Sequence, residues 1–482
     1  VAGLNYSESR TRRGAAVRRS QIKVGFKGMV SSLDENLCDM AYAKDARGFA
    51  FEKGVLTANF GVEDASGFYF SPIYLRHAYP ALPEGKKLKD VFLYRHTNSK
   101  GRCDDRIVAQ LTSGEFMYTA VFDNDTWHAL TGIRTTAEVS AVNYNYQGNE
   151  VLLLATPLNN LWLINDATMY NCSASPQFSS MTVHNERVYG SINGIEKQVW
   201  FSDNFNPLNW TVSSTEAGFI NFSDDCGEIL KVVSFLNYLY VFREYGIFRI
   251  TAFGDQSEFL VKKIFTDTGR IIKKTIEVCG DRIIFYAENG LFSFDGYDVT
   301  PIFKELGDVY NNGIMCGAYL NGCYYLACCE SDTTTKTDTL YKCDFLDKTL
   351  SKISGLNVIS LRAINVSNGS QMLCVLKNAT KIGEIGGSGA VFDKCTEKKY
   401  VSPSSDLSIP SLKIIRDFSL ITHYPLTVRV ILDGTAYEYS LKGSTELQKI
   451  PVEKSGYIVG FELETTEPKA YVTPLKVSVE RM

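Results

Sequence analysis

The chain reads as an all-β protein, a β-propeller of six to eight blades followed by a small antiparallel β-sandwich, and three observations predict it. Strand, turn, strand units recur around residues 105–121, 147–164, 185–200, 237–250, 280–294, 321–329 and 368–382. A unit of about 40 to 50 residues with four short strands cannot bury both faces alone, so copies pack around an axis. Tyr and Phe together supply 55 of the 482 residues (27 and 28), a composition that suits pleated, half-buried strands. A sustained three-four apolar rhythm is missing, residues 35–47 being the one stretch that admits a helical turn.

Residues 1–27 form a basic arm of low hydrophobicity. Arg10, Arg12, Arg13, Arg18 and Arg19 crowd into ten positions, too charged to fold alone, and are the candidate contacts to DNA or to a neighbouring subunit. Residues 28–67 lead into the propeller through a helical turn and two short strands flanking Lys53-Gly54. The propeller is expected over 68–393, closing near the Gly-rich 386–389. Each of its units carries a Gly, Asn, Asp or Gln at the turn, where short hairpins demand positive φ. The turns drift between roughly 33 and 52 residues apart, as divergent blades would, and no unit carries the Gly-His and Trp-Asp pair of a WD repeat. A large irregular sandwich is the competing architecture.

The C-terminal sandwich is expected over 394–482, after a linker-like stretch at 402–410. Leu426, Val428, Val430 and Leu432 alternate onto one face, Asp433-Gly434 turns the chain, and Tyr437, Tyr439 and Leu441 follow; further strands fall at 457–463 and 475–479.

Charge and chemistry exclude more than they propose. A net charge of -4 gives no global pull towards nucleic acid, so any contact with DNA has to be local. The most apolar window, 229–248, contains Lys231, Asn237, Arg243 and Glu244 and reads as strands, not as a membrane helix. No apolar stretch follows the N-terminal arginines as in a signal peptide, and the expectation is folding in a cytoplasm, with Val1 left by processing or trimming. Twelve cysteines lie scattered without CxxC spacing; Cys279, Cys323, Cys328, Cys329, Cys343 and Cys374 sit in or beside apolar strands as reduced core thiols. The five histidines, His77, His96, His128, His184 and His423, stand at no zinc-ligand interval from them, so neither metal nor cofactor is expected. The eight Asn-x-Ser/Thr sequons need no glycan.

Candidate catalytic groups each have a plainer reading. Residues 202–210 resemble the Asp-box of sialidase propellers, where the Asp caps turn amides and the Trp, here Trp210, packs between strands. Of the carboxylate pairs, Asp104-Asp105 and Asp224-Asp225 are consecutive and point to opposite faces of a strand, and Asp123 with Asp125 lacks the Gly and distal Glu of a calcium loop; all three read as solvated loops. His128 and His184 read as surface or packing residues. Phosphate-loop, nucleophile-elbow, zincin and dinucleotide motifs are absent.

Three phrases in order resemble phage tail-nozzle and packaged-DNA stabilisation proteins. The first runs through Gly28, residues 33–37, 43–46, 49–51 and 54–56 to Gly61; the second is Arg187-Val-Tyr-Gly190 leading to Val199-Trp-Phe-Ser-Asp203 and Pro207-Leu-Asn-Trp210; the third runs from Thr268-Gly269-Arg270 through 280–285 to Gly290-Leu-Phe-Ser-Phe-Asp-Gly296. Ile271-Ile272-Lys273-Lys274 departs from that family's small residue and Pro. The resemblance implies a non-enzymatic virion protein, made in the bacterial host cytoplasm, whose copies form a ring at the head-tail junction or in the tail. It would touch other head-tail proteins and retain and conduct phage DNA in its lumen, with no cofactor and no membrane insertion. The alternatives are a receptor- or carbohydrate-binding tail protein, using Tyr437, Tyr439, Tyr457 and Tyr471, and a sialidase-like glycoside hydrolase.

Overall fold

The computed structural model describes residues 19–31, 38–65, 79–98, 100–101, 103–120, 126–193, 197–213, 216–254, 256–265, 269–307, 309–312, 314–366, 369–387, 389–392 and 394–481. Over these residues the propeller is present, with seven blades. Five are self-contained four-stranded antiparallel sheets beginning at Leu88–Tyr94, Ser140–Tyr146, Ser180–His184, Ile229–Phe235 and Glu277–Cys279. The sixth spans Cys316–Leu320 to Thr349–Ser354, and the seventh joins Val358–Val366, Gly369–Leu376 and Gly383–Ile385 to Val62–Asp64. Neighbouring inner strands touch around the ring, and blade 7 meets blade 1. Between blades 4 and 5 the faces share an apolar core, with the Phe242 and Phe285 ring centroids 5.6 Å apart, and at the axis Lys231 Nζ donates to Glu277 at 3.1 Å.

Each unit recognised in the sequence supplies central strand sequence of one blade, and the turn chemistry explains why. Gln147-Gly148, Asn185-Glu186, Leu236-Asn237 and Asn321-Gly322 hold positive φ at both central positions, as do Lys53-Gly54 and Asp433-Gly434 outside the propeller. Two successive positive φ values make the type I′ turn, whose twist matches that of the strands it joins. In residues 229–248 the expected strands are Ile229–Phe235, Tyr238–Arg243 and the start of Gly246–Thr251. All six cysteines expected in or beside strands are buried, and none of the cysteines is bridged.

The chain ends depart from the expected boundaries. Arg19–Val24, assigned to the free arm, is a strand paired in antiparallel register with Leu475–Arg481, with Ile22 opposite Val477. Its outer positions are polar and exposed while Val24 is fully buried, which is how an edge strand comes to read as a solvated tail. No helical turn follows in the described part of 35–47; Asp45–Arg47 is instead a strand between blade 6 and the sandwich, parallel to Thr349–Ser354 and antiparallel to Lys398–Val401. The hairpin Ala50–Glu52 and Val55–Thr57 extends a sandwich sheet through Tyr471–Val472. Val62–Asp64 then closes blade 7, so the propeller begins before residue 68 and its ring is fastened by a strand from ahead of the first blade.

In the sandwich, Leu426, Val428, Val430 and Leu432 face inward as the alternation predicted. Lys413–Thr422 and Ser444–Gly456 complete the second sheet. The stretch 402–410 is not a free linker: Ser405 exchanges both backbone hydrogen bonds with Val459, and buried Ser402 accepts the Phe461 amide at 2.8 Å. One apolar core runs from Phe418, Val428 and Phe461 through Phe26, Phe49 and Phe51 to Tyr324, Tyr341 and Leu350 of blade 6. Burial of each such side chain stabilises by about 1.5–3 kcal/mol, so the sandwich and blade 6 are held as one body.

Candidate functional site: the axial cavity

Where the seven inner strands converge they enclose a cavity of about 230 Å³, with every blade contributing at least one lining residue. Four cations line it, Lys231, Lys273, Lys274 and Arg362, against two carboxylates, Glu138 and Glu277. The lysines 273 and 274 arrive on the short 3₁₀ turn Lys273–Thr275 that leads into blade 5. They are the residues that depart from the resembled phrase.

Asp90 anchors the site from behind. It projects from the inner strand of blade 1 and is buried; Arg362 of blade 7 grips it with Nε at 3.1 Å and Nη2 at 2.6 Å, and Ser360 donates its hydroxyl at 2.5 Å. Burial alone would raise the Asp90 pKa, but the Arg362 guanidinium and the hydrogen bonds outweigh it and hold the carboxyl below its ordinary range. This ion pair crosses the seam where the ring closes. Across the cavity, Lys273 Nζ lies 2.8 Å from Glu138 and 2.8 Å from the Ser179 carbonyl oxygen, while Lys274 stands 3.8 Å from Glu138. Burial would likewise raise Glu138, and these two ammonium groups bring it below the usual range. Lys89, next to Asp90 in sequence, donates to the carbonyls of Thr136 and Ala137, and its pKa is lowered first by burial and then by the charge of Lys274.

Of the arginines singled out in the sequence, Arg10, Arg12, Arg13 and Arg18 lie outside the described residues. Arg19 is described: its Nε lies 3.3 Å from Glu480, which also binds Arg416 at 2.7 Å, and its side chain stays largely exposed at the sandwich edge. The structure does not bring Arg19 near the axial cavity's lining.

Of the carboxylates expected in solvated loops, Asp225 is exposed as expected, whereas Asp104, Asp105 and Asp224 are not free in solvent. Asp224 binds Arg243, which is fully buried, at 2.7 Å. Asp104 lies 3.4 Å from both His96 and Arg106, while Asp105 is buried with neither oxygen hydrogen-bonded among the described residues. Asp123 and Asp125 lie outside the described residues. Asp203 accepts the Asn204 amide at 2.8 Å, and Trp210, buried, packs on Phe178 with centroids 4.8 Å apart and donates to the Pro207 carbonyl. The Asp-box-like turn is therefore a packing device here. His184 is buried and bonded to Ser234, and His128 is exposed and stacks on Tyr118. Tyr437 and Tyr439 pack against the core and Tyr471 stacks on His423, which leaves Tyr457 as the exposed one of the four. Among the described residues lining the cavity there is one arginine and no tyrosine, and no group of His, Cys, Asp and Glu could hold a metal ion.

Sequence alone missed Asp90, Arg362 and the cavity lysines. The available signal was a charge inside an apolar inner strand, Asp90 within Leu88–Tyr94 and Arg362 within Val358–Val366.

No family model matches the chain, and no curated protein matches it. Among solved structures it is similar to BBS1N in complex with ARL6DN, at 10% identity and a TM-score of 0.42 over 67% of this chain and 96% of that one. It is also similar to Raptor of Chaetomium thermophilum, at 9% identity and a TM-score of 0.46 over 68% of this chain and 29% of that one.

Proposed function

We propose that the chain is a non-enzymatic structural protein of a tailed-phage virion, acting as several copies in a ring at the head-tail junction or in the tail that retains and conducts DNA. The observation that carries this reading is the continuous nine-stranded sheet from Cys316–Leu320 through Asp45–Arg47 to Thr435–Leu441. It joins propeller and sandwich into a stiff block, the kind of unit that a ring of heterologous, closing interfaces requires. The phrases that resemble phage nozzle and DNA-stabilisation proteins support the same reading, the second falling on the middle strands of blade 3 and the third on those of blade 5. The arm bearing Arg10, Arg12, Arg13 and Arg18 is continuous with the exposed edge strand Arg19–Val24, a position from which it can reach a neighbour or DNA phosphates. The cavity's carboxylates favour a scaffold over a hydrolase, because Glu138 and Glu277 are both engaged with lysines.

Electron microscopy of the purified full chain, alone and on particles, tests the proposal. A closed ring matching a feature of the head-tail junction or tail is expected. A monomer at micromolar concentration, together with absence of the chain from purified particles, overturns it.

A further inference from the structure

We propose that the axial cavity is a binding site for a small phosphate-bearing anion. The inference is independent of the virion reading. Its basis is a charge imbalance inside a built enclosure: four lining cations face two lining carboxylates, and adding the adjacent Lys89 and Asp90 makes five against three, again an excess of two positive charges. The carboxylates are already matched, Glu138 to Lys273, Glu277 to Lys231 and Asp90 to Arg362. That leaves two cations without a carboxylate at hydrogen-bond distance: Lys89, which donates to backbone carbonyls, and Lys274, which lines the cavity 3.8 Å from Glu138.

Lys274 also acts on a second ammonium through its charge. Its charge disfavours the protonated form of Lys89, a conflict that a bound anion would relieve. Two hydroxyls add donors: Ser140 Oγ accepts the Met181 amide and Ser180 Oγ accepts the Val232 amide, so each hydroxyl hydrogen is available to a ligand in the cavity they line. Charged donors converging on a partly enclosed space favour an oxyanion with several acceptor oxygens over a monovalent halide. Size sets the class. At 230 Å³ the space is a cube about 6 Å on edge, far too small for a duplex whose major groove alone is about 12 Å wide.

Isothermal titration of the full chain, at fixed ionic strength in phosphate-free buffer, tests this with inorganic phosphate and, separately, a nucleoside monophosphate. Saturable binding of one phosphate per chain is expected, weakened at least tenfold in Lys274→Met and unchanged in Lys449→Met, a surface control on the sandwich. Tighter binding of the monophosphate would identify the ligand as the terminal phosphate of a larger molecule, and weaker binding would identify the free ion. The proposal is overturned if no saturable heat appears, if sodium chloride at matched ionic strength gives the same heat, or if Lys274→Met binds as wild type does. Lys89→Met serves as a second variant should Lys274→Met fail to fold, with the same tenfold criterion.

Discussion

Replacing Asp90 by Asn leaves the shape of the ring seam intact and removes the charge that Arg362 grips with two nitrogens, at 3.1 and 2.6 Å. Breaking a buried pair costs about 3–5 kcal/mol because the surviving charge is uncompensated. Asp90 is buried, but the Arg362 side chain is 35% exposed into the cavity, so water screens the orphaned guanidinium and the low end, about 3 kcal/mol, applies. With an unfolding entropy of about 2.1 cal/mol/K per residue, the 482 residues unfolding as one unit carry roughly 1 kcal/mol/K. The melting temperature should therefore fall by about 3 °C. Because the folded Asp90 pKa is depressed, the pair's contribution is present above the unfolded carboxylate value of about 3.9 and is lost as pH falls through the lower folded value. Differential scanning calorimetry from pH 3 to 8 should thus show a gap between wild type and Asp90→Asn that is flat from about pH 5 to 8 and narrows below about pH 4. The double variant Asp90→Asn, Arg362→Met should recover part of the loss. A gap that opens or closes between pH 6 and 7, or no gap at all, refutes the assignment of the seam to this pair.

Three further outcomes are expected. Trp210→Ala should cost about 3–5 kcal/mol through lost burial against Phe178, with Trp210→Phe losing less because an aromatic ring stays against Phe178 and only the indole's extra volume and its N–H to Pro207 go; thermal melts compare them. Gly383→Val should loosen the ring closure, since an added Cβ would stand 2.5 Å from Val62 Cγ1 and 3.0 Å from the Cys374 carbonyl oxygen; accelerated limited proteolysis reads the loss, and a wild-type digestion rate contradicts it. Deleting residues 1–18 should lower particle yield or DNA content without moving the melting temperature, whereas deleting 1–27 should also lower the melting temperature by removing the strand Arg19–Val24; unchanged particles with the shorter deletion count against the arm's role.

The propeller was legible because its blades are punctuated locally. A pair such as Asn321-Gly322 announces its turn from two residues, and Leu426 to Leu432 announces a buried face from seven. What was illegible depends on pairing across the whole chain. Nothing in Arg19–Val24 names Leu475–Arg481 as its partner, and nothing in Val62–Asp64 names Gly383–Ile385. The site suffered from the same separation: Asp90 and Arg362 are 272 positions apart, and each alone is an oddity in an apolar strand. Lys273 and Lys274 stood out only as a mismatch with the resembled phrase. Their meaning came from the ring, which brings Lys89 of blade 1 and Glu138, at the entry to blade 2, to the entry of blade 5.

The N-terminal segment decides how this molecule can be loaded. Between residues 19 and 64 the chain contributes to the sandwich sheet, to the bridge with blade 6 and to the outer strand of blade 7, so it stitches the two domains before the first blade is complete. Tension on the arm is therefore applied to the six register pairs between Arg19–Val24 and Leu475–Arg481, along the strand axis. Pulled that way, the backbone hydrogen bonds of an antiparallel pair lie across the force and share it together, instead of opening one after another as they would if peeled. Behind them, Arg416 ties Glu480 to the neighbouring strand Lys413–Thr422, and the buried row Val24, Val477 and Val479 joins the common core. In the ring proposed above, load entering at Arg19 would be borne by this sheet while the propeller, fastened separately at Val62–Asp64 and Asp90–Arg362, stays closed.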